Sequence, residues 1–264
     1  MGLVEGITEW LPVSSTGHMI LVDEFVKMNV SETFWNMFLV VIQLGAILAV
    51  CVLFFHELNP FSPSKGKEGR RDTWVLWGKI VLGCIPAAAI GLPLNDWMEE
   101  HFYNAPVVAL ALIVYGVLFI VIENWNKNRV PTTTTLSQLT YRDALIIGFC
   151  QLVAAALPGT SRSGATILGA IMIGISRTVA AEFTFFLAIP VMFGASLLKV
   201  LKFGFAFTGM ELACLLVGTV ISFIVSLFVL RFLMGYIKKH DFKVFGWYRI
   251  VLGIIVLLYF LVFA

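Results

Sequence analysis

Six segments of the chain, approximately residues 34–56, 74–94, 103–123, 179–201, 209–234 and 246–264, are continuously apolar. Each reaches the roughly 20 residues that a helix needs to cross about 30 Å of hydrocarbon. None has the strict alternation of a lipid-facing barrel strand, so each predicts a transmembrane helix. The chain is 59% hydrophobic and only 13% charged, and its mean hydropathy of +0.94 excludes an ordinary soluble domain. The expected class is an all-α integral membrane protein forming a single membrane domain over residues 1–264.

Two further apolar stretches, roughly residues 1–24 and 141–172, are interrupted midway by Leu11-Pro12 and by Leu157-Pro158-Gly159, each followed at once by hydroxyl residues. Proline and glycine stop one short helix and Ser or Thr caps the next. The pattern predicts two re-entrant hairpins of half-helices, because broken backbone survives at membrane depth only where it lines a protein cavity.

Leu11-Pro-Val-Ser-Ser-Thr-Gly17 matches Leu157-Pro-Gly-Thr-Ser-Arg-Ser-Gly164 with one inserted residue, and Gly2 falls opposite Gly148. Downstream, Phe38-Leu and Gly45-Ala match Phe186-Leu and Gly194-Ala. This predicts a duplication, with one copy over approximately 1–123, a second over 141–264 and a connector over 124–140. Each copy holds one hairpin and three spans. Three is odd, so the copies are expected in opposite orientations with their site near the midplane.

Lys65, Lys67, Arg70, Arg71, Lys127, Arg129, Arg142, Arg177, Lys238, Lys239 and Lys243 fall on one side of the predicted topology, against Lys27, Lys199 and Lys202 on the other. The positive-inside rule puts the first group in the cytoplasm and the acidic loop of Asp96, Glu99 and Glu100 outside. The first hairpin then opens to the exterior. The polar connector, with Pro131 and its threonines, reads as a solvated link. Net charge is only +2, with the basic residues dispersed, which argues against a nucleic-acid partner. Cys51, Cys84, Cys150 and Cys214 are isolated in apolar sequence and predict neither a metal knuckle nor a disulfide framework. The N-terminal stretch, with Glu5 and Glu9 in place of an apolar signal core, is expected to belong to the mature fold.

Glu5 and Glu9 are spaced i, i+4 and project from one helix face. Two carboxylates in a low-dielectric site repel, so one must be protonated or both must meet a cation. A hard divalent ion, Mg2+ with Ca2+ as the alternative, satisfies that demand together with waters and phosphate oxygens. Arg162 starts a half-helix among Thr160, Ser161 and Ser163, where backbone N–H groups, the helix dipole and a guanidinium all favour phosphate. Ser14, Ser15, Thr16 and Gly17 form a second anion-facing cap. His18, three residues after Ser15, is placed to exchange a proton with that hydroxyl or with a leaving phosphate. A nucleophile, an acid/base, a charge clamp and a metal anchor together fit phosphoryl transfer.

Gln43 and Gln151 are expected to bond between helices, and Glu182 to pair with a basic group of the second hairpin. Lys79, Glu123, Arg231 and Arg249 are expected to snorkel from span ends. His56, His101 and His240 are expected to be interfacial.

Glu5-Gly-x-Thr-Glu9-x-Leu-Pro-Val-Ser-Ser-Thr-Gly-His18 and Pro158-Gly-x-Ser-Arg-Ser-Gly-Ala-Thr166 resemble the two signature segments of the undecaprenyl pyrophosphate phosphatase family linked to bacitracin resistance. The similarity extends through Gln43-Leu-Gly-Ala-Ile-Leu-Ala49 and Ser176-Arg. One departure is that only Met1 to Val4 precede the first glutamate, where family members commonly carry further apolar residues. The resemblance implies hydrolysis of a C55 isoprenyl pyrophosphate to the monophosphate and inorganic phosphate, recycling the carrier lipid at the outer face of a bacterial plasma membrane. It implies Glu5, Glu9, Ser15, His18 and Arg162 as catalytic positions and dependence on a divalent metal; the candidate phosphate-binding residues are Ser14, Thr16, Thr160, Ser161, Ser163 and Thr166, and the candidate metal ligands are Glu5 and Glu9. Either Ser15 or His18 can be the nucleophile. Membrane lipids are expected partners and a homodimer is allowed.

The main rival is a lipid or ion transporter or flippase, since broken helices in inverted repeats are transporter architecture. An intramembrane serine protease fits the acidic pair and Arg162 poorly. A PAP2-type phosphatase shares Ser15-Thr16-Gly17-His18 but lacks its remaining motifs here.

Overall fold

The computed structural model describes residues 1–26, 28, 30–102 and 104–263, and these residues are helical apart from loops and one isolated bridge between Thr133 and Ile175. Lys27 and the side chains of Asp96 and Glu99, which enter the orientation argument, lie outside the described residues. The elements are α1 (Gly2–Thr8), α2 (Ser15–Phe25), α3 (Glu32–Val41), α4 (Gln43–Leu53), α5 (Phe55–Leu58), α6 (Lys67–Pro86), α7 (Leu92–Phe102), α8 (Ala105–Asn126), α9 (Tyr141–Ala156), α10 (Arg162–Met172), α11 (Arg177–Phe203), α12 (Gly209–Ile237) and α13 (Lys243–Phe263).

Six helical segments among the described residues are long and apolar enough to cross a membrane: Glu32–Leu53, Lys67–Gly91, Ala105–Asn126, Arg177–Phe203, Gly209–Ile237 and Lys243–Val262. They coincide with the six expected spans. Several begin earlier than the apolar run, because the helix continues through polar turns to its cap. Ser176 caps α11 by accepting from the Val179 N–H, and Thr208 with Glu211 forms a reciprocal capping box on α12. The second span passes Pro86 and continues as a π-helical turn, Ala87–Gly91, into α7.

The two interrupted segments break where expected. The chain turns between α1 and α2 over residues 9–14, and between α9 and α10 over residues 157–161. The second helix of each pair starts in the same way. Ser14 and Ser161 have φ of 71° and 68°, the only positive-φ residues besides glycine in the described chain. The Ser14 Oγ accepts from the Gly17 N–H at 3.3 Å and the Ser161 Oγ from the Gly164 N–H at 3.2 Å. Such backbone is sparsely allowed for a side-chain-bearing residue and must be held by its surroundings.

Close glycine contacts lock the helices together. A Cβ on Gly2 in α1 would stand 2.4 Å from the Gly218 carbonyl oxygen of α12, and one on Gly148 in α9 would stand 2.3 Å from that of Gly83 in α6. Gly116 of α8 and Gly246 of α13 face each other reciprocally, each added Cβ falling 2.7 Å from the other's carbonyl oxygen. Backbone approach of this kind suits membrane helices, where dispersion must replace the hydrophobic drive. An aromatic core of Trp10, Phe183, Phe185 and Phe186 is fully buried.

Several polar residues depart from expectation. Glu123 does not snorkel: it is buried, accepts from Arg177 Nε at 2.9 and 3.1 Å, and takes the Phe242 N–H at 3.0 Å. It thereby ties α8 to α11 and to the start of α13. Lys79 is buried too, its Nζ donating to the carbonyls of Leu136 and Ser137 at 3.5 and 3.4 Å. The connector is not simply solvated. Thr132 and Thr133 donate backbone bonds to Gly174 O at 2.9 and 3.3 Å, Ser176 donates back to Thr133 O at 2.8 Å, and Leu139 is buried. Glu182 makes no ion pair among the described residues and lies within the electrostatic reach of Glu57 and Lys238 instead of the hairpin's arginine.

Candidate active site

The turn after α1 and the start of α10 bring the two polar motifs into direct contact. Arg162, the first residue of α10, donates from Nη2 to Glu9 Oε1 at 2.8 Å and from Nη1 to the Thr184 carbonyl at 3.2 Å. The second Glu9 oxygen, Oε2, accepts from the Ser15 hydroxyl at 2.8 Å. Hydroxyl, carboxylate and guanidinium therefore form one continuous chain, Ser15–Glu9–Arg162. Arg162 also lies 5.9 Å above the Trp10 ring, whose edge meets Phe185 at 5.3 Å, so apolar walls limit its freedom.

Glu5 sits one turn before Glu9 and is only 1% exposed, which rejects a solvated pair at a helix mouth. Its Oε1 is buried without a hydrogen-bond partner. Glu5 lines a cavity of about 390 Å³ together with Ser15, Thr16 and Gln43. Met19, Ile20, Trp35, Leu39 and Val40 form its apolar side, and Asp23, Asn36 and Lys199 complete the lining. Its lining therefore combines polar with apolar side chains. Gln43, expected to bond between helices, thus lines the cavity. A larger cavity of about 570 Å³ lies at the opposite end of α10, between residues 126–132 and 171–177, and holds none of the motif residues.

His18 does not take the Ser15 hydroxyl as expected. Its Nδ1 lies 2.7 Å from the Ser14 carbonyl and its Nε2 lies 2.6 Å from the Tyr248 hydroxyl, with the two rings stacked at 5.6 Å. A carbonyl only accepts, so Nδ1 carries a proton, and in the neutral ring Nε2 then accepts from the Tyr248 hydroxyl. The ring is turned by its own helix cap, and Glu9 occupies the position beside Ser15.

The hydroxyls of the second motif divide their duties. Ser163 donates to the Glu9 and Leu11 carbonyls at 3.1 and 3.4 Å, stitching α10 to the first turn. Thr166 donates to Arg162 O at 2.8 Å and takes a bond from Thr184 at 2.9 Å. Ser161 and Ser163 hydroxyls meet at 3.1 Å, and the Thr160 Oγ1 is buried without a partner. Of the expected phosphate-binding residues, Thr16 lines the cavity, whereas Ser163 and Thr166 spend their protons on structure.

Two consecutive residues of α13 were not anticipated. Tyr248 holds His18, and Arg249, expected to snorkel, is fully buried and donates to Pro12 O at 3.1 Å and to Gly159 O and Thr160 O at 2.8 Å each. The available signal was residue type: an ionisable group within a membrane-spanning helix marks a functional site even near the start of the apolar run.

The model of the bacitracin resistance protein BacA family matches residues 1–255 of the chain. The chain belongs to this family. Among curated relatives of this BacA-family protein, undecaprenyl-diphosphatase of Desulfitobacterium hafniense is 64% identical over 260 residues, covering 98% of this chain and 94% of the relative. Undecaprenyl-diphosphatase 1 of Clostridium acetobutylicum is 59% identical over 262 residues, covering 99% and 96%. Undecaprenyl-diphosphatase of Enterococcus faecalis is 58% identical over 264 residues, covering 99% and 95%.

The donor set suits a hard divalent cation. Among the described residues no group of three or more His, Cys, Asp or Glu side chains gathers into a metal cage. Mg2+ needs no such cage: it keeps several waters and binds through one or two carboxylates plus substrate phosphate oxygens. Glu5, which lines the cavity, and Glu9 one turn further on are the carboxylates that could hold such an ion.

Proposed function

We propose that this BacA-family protein is a membrane-embedded phosphoanhydride hydrolase, converting undecaprenyl diphosphate to undecaprenyl phosphate and inorganic phosphate. The observation that carries the reading is the Ser15–Glu9–Arg162 chain beside a cavity with an apolar wall. The full-length similarity to proteins named undecaprenyl-diphosphatase supplies the substrate. A cavity of about 390 Å³ is of the size that encloses a small ligand. It takes the diphosphate and the first prenyl units, and the rest of the lipid stays in the bilayer.

The reaction is distributed over this chain's residues as follows. Arg162 and the N-terminus of α10 take the charge of the terminal phosphate, a planar guanidinium being suited to two oxygens at once. The Ser15 Oγ attacks the terminal phosphorus while its proton passes to Glu9, and the bridging P–O bond breaks to release the lipid monophosphate. Water then hydrolyses the phosphoserine to inorganic phosphate and regenerates Ser15. His18, fixed by Ser14 and Tyr248, holds the cap from which Ser15 projects. Glu5 and Glu9 would hold a divalent ion such as Mg2+, which would supply electrostatic stabilisation of the phosphate oxygens. Catalysis here is chiefly positioning and charge stabilisation.

The architecture is read as two inverted repeats, residues 1–123 and 141–264, each carrying one re-entrant hairpin. The paired positive-φ caps at Ser14 and Ser161, the matching glycine contacts of Gly2 and Gly148, and the reciprocal Gly116–Gly246 contact support it. The cavity reaches Lys199, which the loop charges assign to the exterior, and this supports an active site open to the outer face.

Phosphate release by the purified protein from a C55 diphosphate, with and without EDTA, tests the reading. Metal-dependent release is expected. Movement of the lipid across vesicles with no release of phosphate would favour a flippase.

A further inference from the structure

Arg249 is fully buried in α13, its two terminal nitrogens donate to backbone carbonyls, and its guanidinium lies 5.7 Å from the centre of the Tyr115 ring. One nitrogen reaches Pro12 O at 3.1 Å and the other reaches Gly159 O and Thr160 O, both at 2.8 Å. The first carbonyl belongs to the turn that leads into Ser14 and Ser15. The other two belong to the turn that leads into Ser161 and Arg162. One side chain therefore bridges both helix breaks, close to the two residues with unusual backbone. The guanidinium also fills the space beside Gly164, where an added Cβ would stand 3.1 Å from its Nη1.

A buried cation is costly, and this one is used where an apolar residue would pack. Its fork is the part that matters. Two nitrogens in a rigid plane address two segments at once, which a single ammonium on a flexible stem does not reproduce. Pro12 lies three residues before Ser15 and Thr160 two before Arg162, so any shift of these carbonyls carries to the reacting groups.

We infer that Arg249 is a positioning residue for the hydrolysis proposed above, setting the two turns so that Ser15 and Arg162 meet across Glu9. It touches no reacting atom. A misplacement of about 1 Å between catalytic groups costs on the order of 100-fold in rate.

The test uses full-length protein carrying Arg249→Lys or Arg249→Gln, with phosphate release from undecaprenyl diphosphate measured per folded molecule by gel filtration and thermal melting. The expected result is a fall in kcat of about 100-fold with KM changed no more than about threefold. In an Arg162→Lys background, Arg249→Lys is expected to cost no more than about threefold further, since both act on one geometry. Fully multiplicative losses would overturn the inference. So would a folded variant with wild-type kcat, or a loss that follows only the folded fraction. Failure of both variants to fold would assign Arg249 to stability alone and overturn the positioning role. Absence of phosphate release by the unmodified protein would strike the proposed reaction itself, not the assignment of Arg249.

Discussion

The Glu9 carboxylate and the Arg162 guanidinium meet at 2.8 Å although 153 residues separate them, and the same carboxylate accepts from Ser15 through its other oxygen. This pair joins the two motifs, and it orients both partners before any ligand arrives. Arg162→Ala is expected to lower turnover by about 1,000-fold or more, the scale of losing a charge-stabilising donor, while the protein still folds. Phosphate release set beside thermal melting checks this. Near wild-type hydrolysis would remove Arg162 from the reaction.

Glu5 presents a buried oxygen without a partner, whereas both Glu9 oxygens are engaged. Chelation by EDTA is expected to stop phosphate release and added Mg2+ to restore it. Glu5→Gln is expected to raise the Mg2+ concentration for half-maximal activity by about 10-fold or more. An unchanged metal titration in Glu5→Gln would place the ion elsewhere.

The Tyr248 hydroxyl and His18 Nε2 lie 2.6 Å apart, with the two ring planes within 5° of parallel. Tyr248→Phe removes one neutral hydrogen bond, about 1 kcal/mol, and is expected to slow turnover about fivefold. His18→Ala also removes the bond to the Ser14 carbonyl, and its loss is expected to be larger. Equal rates for Tyr248→Phe and wild type would detach Tyr248 from the site.

Glu123 is enclosed, and its partner Arg177 is about one-third exposed at 36%. Removing one partner of a fully buried pair costs about 3–5 kcal/mol, and exposure on the arginine side reduces that here to about 2–3 kcal/mol. Arg177→Met is expected to lower the melting temperature in detergent, with turnover at low temperature retained. Glu123→Gln in the same background is expected to recover part of the loss, because it no longer leaves a charge unpaired. A melting temperature that does not move in Arg177→Met would make the pair ornamental to stability.

The helices were legible because bilayer crossing imposes a length and an apolarity that no other requirement produces together. The breaks at Pro12 and Pro158-Gly159 were legible for a similar local reason, since proline and glycine end helices whatever surrounds them. Local spacing also placed Glu5 one turn before Glu9. What failed were statements about partners. Glu123, Lys79 and Arg249 look like span-end residues when judged by distance from the ends of apolar runs. Their partners, Arg177, Leu136 and Pro12, stand far away in the chain, and no local spacing records them.

The sequence alone determined that this protein lives in a membrane, that its helices are interrupted at two hydroxyl-rich turns, and that carboxylates, serines, a histidine and an arginine are concentrated there. These are one-dimensional facts, set by hydropathy, backbone stereochemistry and residue type. Only the tertiary structure decided how those groups meet. It gave Ser15 to Glu9, turned His18 toward Tyr248, spent Ser163 and Thr166 on carbonyls, and put Arg249 beneath both turns. A hydrogen bond is settled by which donor and acceptor packing brings within about 3 Å, and that distance exists only once the helices have docked.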